Sequence, residues 1–190
     1  MVVLSAPSGC GKTTLVTRLL KRHSRWIRSI SVTTRPPRLG EKKGRDYEFV
    51  SRPRFQALKE KKQFLEWARV FGHSYGTRKR GVEEGIAGGE TVLLAVDVQG
   101  HRKIRRFVGR KFPLLSLFIL PPSISALRER LENRKTDSPE EIQKRIQVAQ
   151  EEIKAAREYD ATVINRDLDQ TVHEIETLIE KFEETLKGGK

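Results

Sequence analysis

The sequence predicts an α/β fold: a mostly parallel central sheet flanked by helices, with a small α+β lobe inserted and a helical lid. Three observations carry that prediction. Short apolar runs alternate along the chain with helical stretches, the rhythm of a parallel sheet wrapped by its crossovers. Those runs are apolar at consecutive positions, as in strands buried on both faces. Between residues 33 and 82 the rhythm breaks into prolines, lysines and aromatics.

Taken in order, the core strands are expected at Val2–Ser5, Arg28–Val32, Thr91–Val96, Leu114–Leu120 and Ala161–Ile164. A helix over Lys12–His23 places Leu15, Leu19 and Leu20 at core-facing spacing. The interrupting segment reads as a short strand at Tyr47–Val50, a Lys-rich helix near Pro53–Lys62 and the apolar run Phe64-Leu65-Glu66-Trp67. Pro121-Pro122 stops one strand, and a helix over Ser123–Asn133 follows. Ser138-Pro139-Glu140-Glu141 supplies an N-cap, a proline in the first turn and two acids suited to the helix dipole. That helix should run to about Tyr159, and a last one covers about Leu168–Leu186.

At 190 residues the chain can bury one good-sized core with small lobes added. No apolar run approaches the roughly 20 residues of a membrane span, and the first residues read as a strand with no signal-peptide pattern. A single cysteine, Cys10, rules out an intrachain disulfide, and a cytoplasmic location is the expectation. The net charge of +13 is uneven, with +16 in residues 1–110 and −3 in residues 111–190. A basic front half suits polyanions such as nucleotides. The basic run His101–Arg106 reads as the solvated face of a surface helix, so a nucleic-acid partner is not expected.

One motif carries the chemistry. Ala6-Pro7-Ser8-Gly9-Cys10-Gly11-Lys12-Thr13-Thr14 is a P-loop with alanine in the first glycine slot, set between an apolar strand and an amphipathic helix. Gly9 and Gly11 let the backbone curl so that its amides face an anion at a helix N-terminus. Lys12 adds a full charge for the β- and γ-phosphates of ATP, and the Thr13 hydroxyl can ligate Mg²⁺. Downstream, Arg35 and Arg38 flank two prolines and could grip a phosphate monoester from two sides.

The P-loop, Ser31-Val32-Thr33-Thr34-Arg35-Pro36-Pro37-Arg38, Gly44-Arg45-Asp46-Tyr47-Glu48-Phe49, Phe64-Leu65-Glu66-Trp67-Ala68, Tyr75-Gly76-Thr77, Asp97-Val98-Gln99-Gly100 and Pro121-Pro122-Ser123 follow one another in an order and spacing that resembles the guanylate kinase family of P-loop nucleoside monophosphate kinases over residues 1–186. The resemblance implies a P-loop NTPase fold and transfer of the γ-phosphoryl of ATP to GMP or dGMP. It implies that Arg35, Arg38, Tyr47 and Tyr75 hold the GMP phosphate, with Ser31, Gly76, Thr77 and Asp97 in the same site. Glu66 would read the base: guanine presents N1–H and the 2-amino group side by side to a carboxylate, and adenine presents neither. A site that loses such bonds discriminates steeply.

By the same resemblance Arg130, Arg134 and Arg145 act with Lys12 and Arg35 on the transferring group, Asn165 borders the adenine of ATP, and Mg²⁺ is held by Thr13, with Asp97 as a second candidate ligand. The implied division is a core of 1–32, 83–132 and 146–187, a GMP-binding lobe of 33–82 and a lid of about 133–145. Three positions depart from the family pattern: Ala95 stands where an acid is common, Lys135 where the lid often has glycine, and Arg166 where aspartate is common. Two other readings are kept: a related P-loop kinase with a different phosphorylated acceptor, and a non-catalytic interaction module of the same fold. Monomer and homo-oligomer both remain open.

Overall fold

A computed structural model of the protein describes residues 1–108, 112–133 and 137–188. Arg134 and Lys135, both singled out from the sequence, lie outside the described residues. In chain order the elements are β1 (Val2–Ser5), α1 (Lys12–Arg22), β2 (Trp26–Arg28), β3 (Val32–Thr33), β4 (Glu48–Phe49), α2 (Arg52–Glu60), β5 (Phe64–Val70), β6 (His73–Arg78), α3 (Lys79–Ala87), β7 (Thr91–Ala95), α4 (Val98–Val108), β8 (Leu115–Leu120), α5 (Ile124–Glu132), α6 (Pro139–Lys154), β9 (Ala161–Ile164) and α7 (Leu168–Gly188).

Among the described residues the central sheet has five parallel strands in the order β2-β7-β1-β8-β9. Its consecutive apolar runs serve two cores at once. Val2, Leu4, Leu93, Leu117 and Ile119 face one cluster, with Leu15, Leu19, Leu127, Ile146 and Ile175 from the helices. Met1, Val3, Val92, Leu94 and Phe118 face the other, with Ile104, Val108 and Tyr159. Alternate residues of one strand point to opposite faces, so a strand covered on both sides needs an apolar residue at every position.

Residues 32–78 build a second sheet in the order β4-β3-β6-β5. β3 and β4 pair in parallel, while β6 pairs antiparallel with both β3 and β5. Helix α2 covers it, capped by Ser51, whose side chain accepts from Arg54 N, with Pro53 in its first turn. Phe55, Leu58, Phe64 and Val32 form its own small core.

The strand expected at Arg28–Val32 is therefore corrected. Its first residue closes β2 in the central sheet, and Val32 opens β3 in the second sheet. Ser29 N still bonds Leu93 O, whereas Val32 packs on Phe55 and Phe64. One apolar run thus crosses from one core to another. Helix α6 also stops early, at Lys154, and a 3₁₀ turn over Ala155–Glu158 completes the segment. The basic run His101–Arg106 does lie on a helix, α4, but its solvated face is partial. His101 is buried and stacked on Tyr159, and Ile104 is buried in the core. Among the described residues no helix is long and apolar enough to cross a membrane.

Candidate active site

The turn from β1 to α1 is shaped by its two glycines. Gly11 caps α1 at φ 81 and Gly9 sits at φ 100, conformations that favour a residue without Cβ. Packing adds a second demand: a Cβ on Gly9 would lie 2.8 Å from Leu127 Cδ1, and one on Gly11 3.0 Å from Asn165 Nδ2. Ala6, in contrast, is buried in the core, where its methyl has a place.

Asn165 buttresses this loop. Its Nδ2 donates to Cys10 O at 2.8 Å and its Oδ1 accepts from Thr171 Oγ1 at 3.3 Å, all in buried surroundings. Arg130 donates to Asn165 O at 2.9 Å. These two residues share a shallow recess with Gly9, Gly11, Thr14 and Arg166 on the outer side of the loop. Cys10 is buried.

Lys12 turns toward the sheet and donates to Val96 O at 2.8 Å. Burial pulls its ammonium below the ordinary lysine range, and Asp97 and Glu152 partly restore it. Asp97 Oδ1 accepts from Gly100 N at 2.7 Å at the start of α4. Glu152, on α6, was not singled out from the sequence. Burial pushes its carboxyl up to about 7, the Lys12 charge opposes that rise, and Asp97 adds to it. An acid inside a long amphipathic helix carries no local signal; only the fold brings it to Lys12.

On the acceptor side, the β5–β6 hairpin places Glu66 opposite Thr77, whose Oγ1 donates to Glu66 Oε1 at 2.8 Å. Burial pushes the Glu66 carboxyl up to about 7; the Thr77 bond opposes this and Asp97 reinforces it. Close approach by α4 needs Gly100, since a Cβ there would lie 3.0 Å from Glu66 Oε2. Tyr47 and Tyr75 meet edge to face with centroids 6.1 Å apart, and burial raises the Tyr47 phenol, so it stays a neutral donor.

The two arginines differ. Arg35 is buried and grips Glu41 with NH2 at 2.8 and 3.0 Å, its guanidinium 5.4 Å from the Tyr47 ring centroid. Burial works against its charge, but the Glu41 bond and charge more than offset this and hold it above the ordinary range. Arg38 is exposed and meets Glu41 through its backbone, its N–H donating to Glu41 Oε2 at 2.7 Å and its carbonyl accepting from Glu41 N at 3.0 Å.

One cleft joins these halves. Its walls include Ala6 through Thr14 of the loop, then Ser31, Arg38, Tyr47, Glu66 and Tyr75 from the second sheet, and Asp97, Arg145 and Glu152 from the core. Arg145 closes it across the top: NH1 donates to Ser8 Oγ at 2.8 Å, NH2 reaches Asp137 at 3.2 Å, and the guanidinium lies 4.7 Å from the Phe71 ring centroid. Phe71 and Val70, both unmarked in the sequence, border the cleft at the hairpin tip. Arg35, Gly76, Thr77, Arg130 and Asn165 stand behind or outside this wall.

Comparison with known proteins decides the family. The guanylate kinase family model matches residues 1–182. The chain belongs to the guanylate kinase family. It is 45% identical over 181 residues to the guanylate kinase of Wolbachia sp. subsp. Brugia malayi, covering 95% of this chain and 92% of that one. It is 47% identical over 180 residues to the guanylate kinase of Synechocystis sp., covering 94% and 92%. The crystal structure of guanylate kinase from Anaplasma phagocytophilum superposes with a TM-score of 0.79 at 33% identity, over 95% of this chain and 84% of that one. A gluconokinase from Sinorhizobium meliloti, 16% identical with a TM-score of 0.55 over 100% and 97%, shares the fold alone. The P-loop NTPase fold expected of a guanylate kinase is the fold observed. Asp97 and Glu152 are carboxylates that act on Lys12, and both border the cleft together with Ala95.

Proposed function

We propose that this chain is a nucleoside monophosphate kinase that transfers the γ-phosphoryl group of ATP to GMP, and to dGMP, giving ADP and GDP. The observation that carries the reading is the single cleft shared by the P-loop and by Glu66, Arg38, Tyr47 and Tyr75. Two anionic substrates must be brought in line, so alignment and charge neutralisation account for most of the catalysis.

In the transfer, a phosphate oxygen of GMP bonds to the γ-phosphorus while the bond from that phosphorus to the β,γ-bridging oxygen breaks, and ADP leaves with those electrons. Lys12 and the amides of residues 8–13 hold the triphosphate; Arg145, already on Ser8, stands over the loop where negative charge passes between substrates. Arg130 and Arg134 are assigned to the same charge. Asn165 keeps the loop in shape and lines the adenine side. Arg38, Tyr47 and Tyr75 take the GMP phosphate, and Arg35, fixed by Glu41, sets the charge behind them. Glu66 as carboxylate accepts from guanine N1–H and the 2-amino group, with Ser31, Thr77 and Gly76 around the base.

Among the described residues no group of three or more His, Cys, Asp or Glu could hold a metal ion. Mg²⁺ relies on substrate phosphates and water and needs few protein ligands. Thr13, with Asp97 nearby, would hold it on the nucleotide, where it would neutralise phosphate charge. Residues 33–82 act as the GMP-binding lobe and about 133–145 as the lid.

Coupled measurement of ADP release with ATP and each of GMP, dGMP, AMP and ribose 5-phosphate tests the reading. Turnover with the guanine nucleotides alone is expected. Preference for another acceptor would assign a different P-loop kinase, and no turnover at all would assign an interaction module.

A further inference from the structure

A second basic groove runs along β5 and shares Glu66 with the cleft. Lys59, Lys62, Lys79 and Lys103, from α2, the turn after it, α3 and α4, border one groove around Trp67. Three of the four are held against an aromatic ring, and Lys62 is exposed. Lys59 Nζ lies 3.9 Å and Lys103 Nζ 4.6 Å from the Trp67 ring centroid, Lys103 also donates to Trp67 O, and Lys79 Nζ lies 5.1 Å from the Phe107 centroid.

The groove carries more positive than negative charge: Glu66 lies on its wall, where Lys103 acts on its carboxyl. Among the described residues none of the four lysines is in an ion pair with an acid; elsewhere on the surface Arg80, Arg102 and Lys154 each have one. The carboxylate on its wall is Glu66, buried and bonded to Thr77. Like charges gathered on partly desolvated aromatic surface repel one another, and an anion relieves that repulsion. A single carboxylate cannot reach four ammonium groups spread along a groove, whereas a chain of phosphates offers charge and acceptor oxygens at intervals.

We propose that this groove binds a chain of linked phosphates, either free oligophosphate or the tail of a nucleotide held outside the catalytic cleft. It gives the excess positive charge of residues 1–110 a use beyond the two substrates of the kinase reaction.

Calorimetric titration of the whole protein with inorganic tripolyphosphate at about 50 mM salt tests this. Two binding events are expected: one in the P-loop, lost in Lys12→Ala, and one in the groove. The groove event should weaken at least about tenfold in Lys59→Gln/Lys62→Gln, and equally in Lys79→Gln, which alters a different element. In a Trp26→Phe background, which leaves Trp67 as the only indole, emission should follow the groove event with Lys12 present or replaced by alanine and stay flat in the double lysine variant, whose kinase turnover is unchanged. Parallel titration with ATP separates the sources: a Trp67 response to both ligands assigns a nucleotide tail, and a response to tripolyphosphate alone assigns the free chain. A single event in wild type, or two events of unaltered affinity in the lysine variants, overturns the proposal.

Discussion

Thr77 Oγ1 donates to Glu66 Oε1 at 2.8 Å across the β5–β6 hairpin, and both are buried, Glu66 in the wall of the cleft and Thr77 behind it. The bond fixes one carboxylate oxygen. The other points toward Gly100, where only a missing Cβ leaves room.

The titration of Glu66 follows from that burial. Its carboxyl is raised to about 7 in the folded protein from an ordinary 4.5. Between those values the folded chain holds a proton that the unfolded chain has lost, so stability of the empty protein declines as pH rises through the window and levels off above about 7. Glu66→Gln keeps the Thr77 bond and removes the buried charge. Chemical denaturation at pH 8 should show the variant more stable by about 1–2 kcal/mol.

Guanine binding has the opposite pH sense. It needs the carboxylate, so the KM for GMP should fall as pH rises from 6 to 8. The GMP phosphate, with its second ionisation near 6, contributes to the same trend. Steady-state profiles of wild type and Glu66→Gln side by side separate the two: the part due to Glu66 disappears in the variant. Identical profiles would remove Glu66 from base recognition.

Arg38 and Arg35 should respond differently to the same change. Arg38→Met, at an exposed side chain, should raise the KM for GMP about tenfold or more and leave the melting temperature in place. Arg35→Met strands Glu41 without its guanidinium and should cost about 1–3 kcal/mol of stability as well. Kinetics and thermal melts on both variants check the contrast.

Lys12→Ala should reduce kcat by about 100-fold or more with the circular dichroism spectrum unchanged. The side chain stabilises a charge that grows during transfer, and loss of its single bond to Val96 O should lower stability without unfolding the chain.

Asn165→Ala removes the bond to Cys10 O at the base of the P-loop. The expected result is a KM for ATP raised several-fold, a KM for GMP little changed and a stability loss of about 1–3 kcal/mol. An equal rise in both constants would place Asn165 elsewhere in the mechanism.

The sequence by itself determined whatever depends on neighbours along the chain. Gly9, Gly11, Lys12 and Thr13 act within one turn, so their spacing is their geometry. The N-cap at Ser138 was readable for the same reason, and the structure adds the reciprocal bond from Ser138 N to Glu141. Sheet strands at 2–5 and 91–95 were readable because burial on both faces leaves a nearly continuous apolar run, whereas in the edge strand at 161–164 only Val163 is buried. Tertiary structure alone decided which core each run joins, and Arg28–Val32 shows it: hydrophobicity records that a segment is buried, not against what. It also decided that Arg145 meets Ser8, 137 residues away, and that Glu152 faces Lys12. Long-range contacts of single side chains leave no periodic trace, because their partners are fixed by how sheets and helices stack.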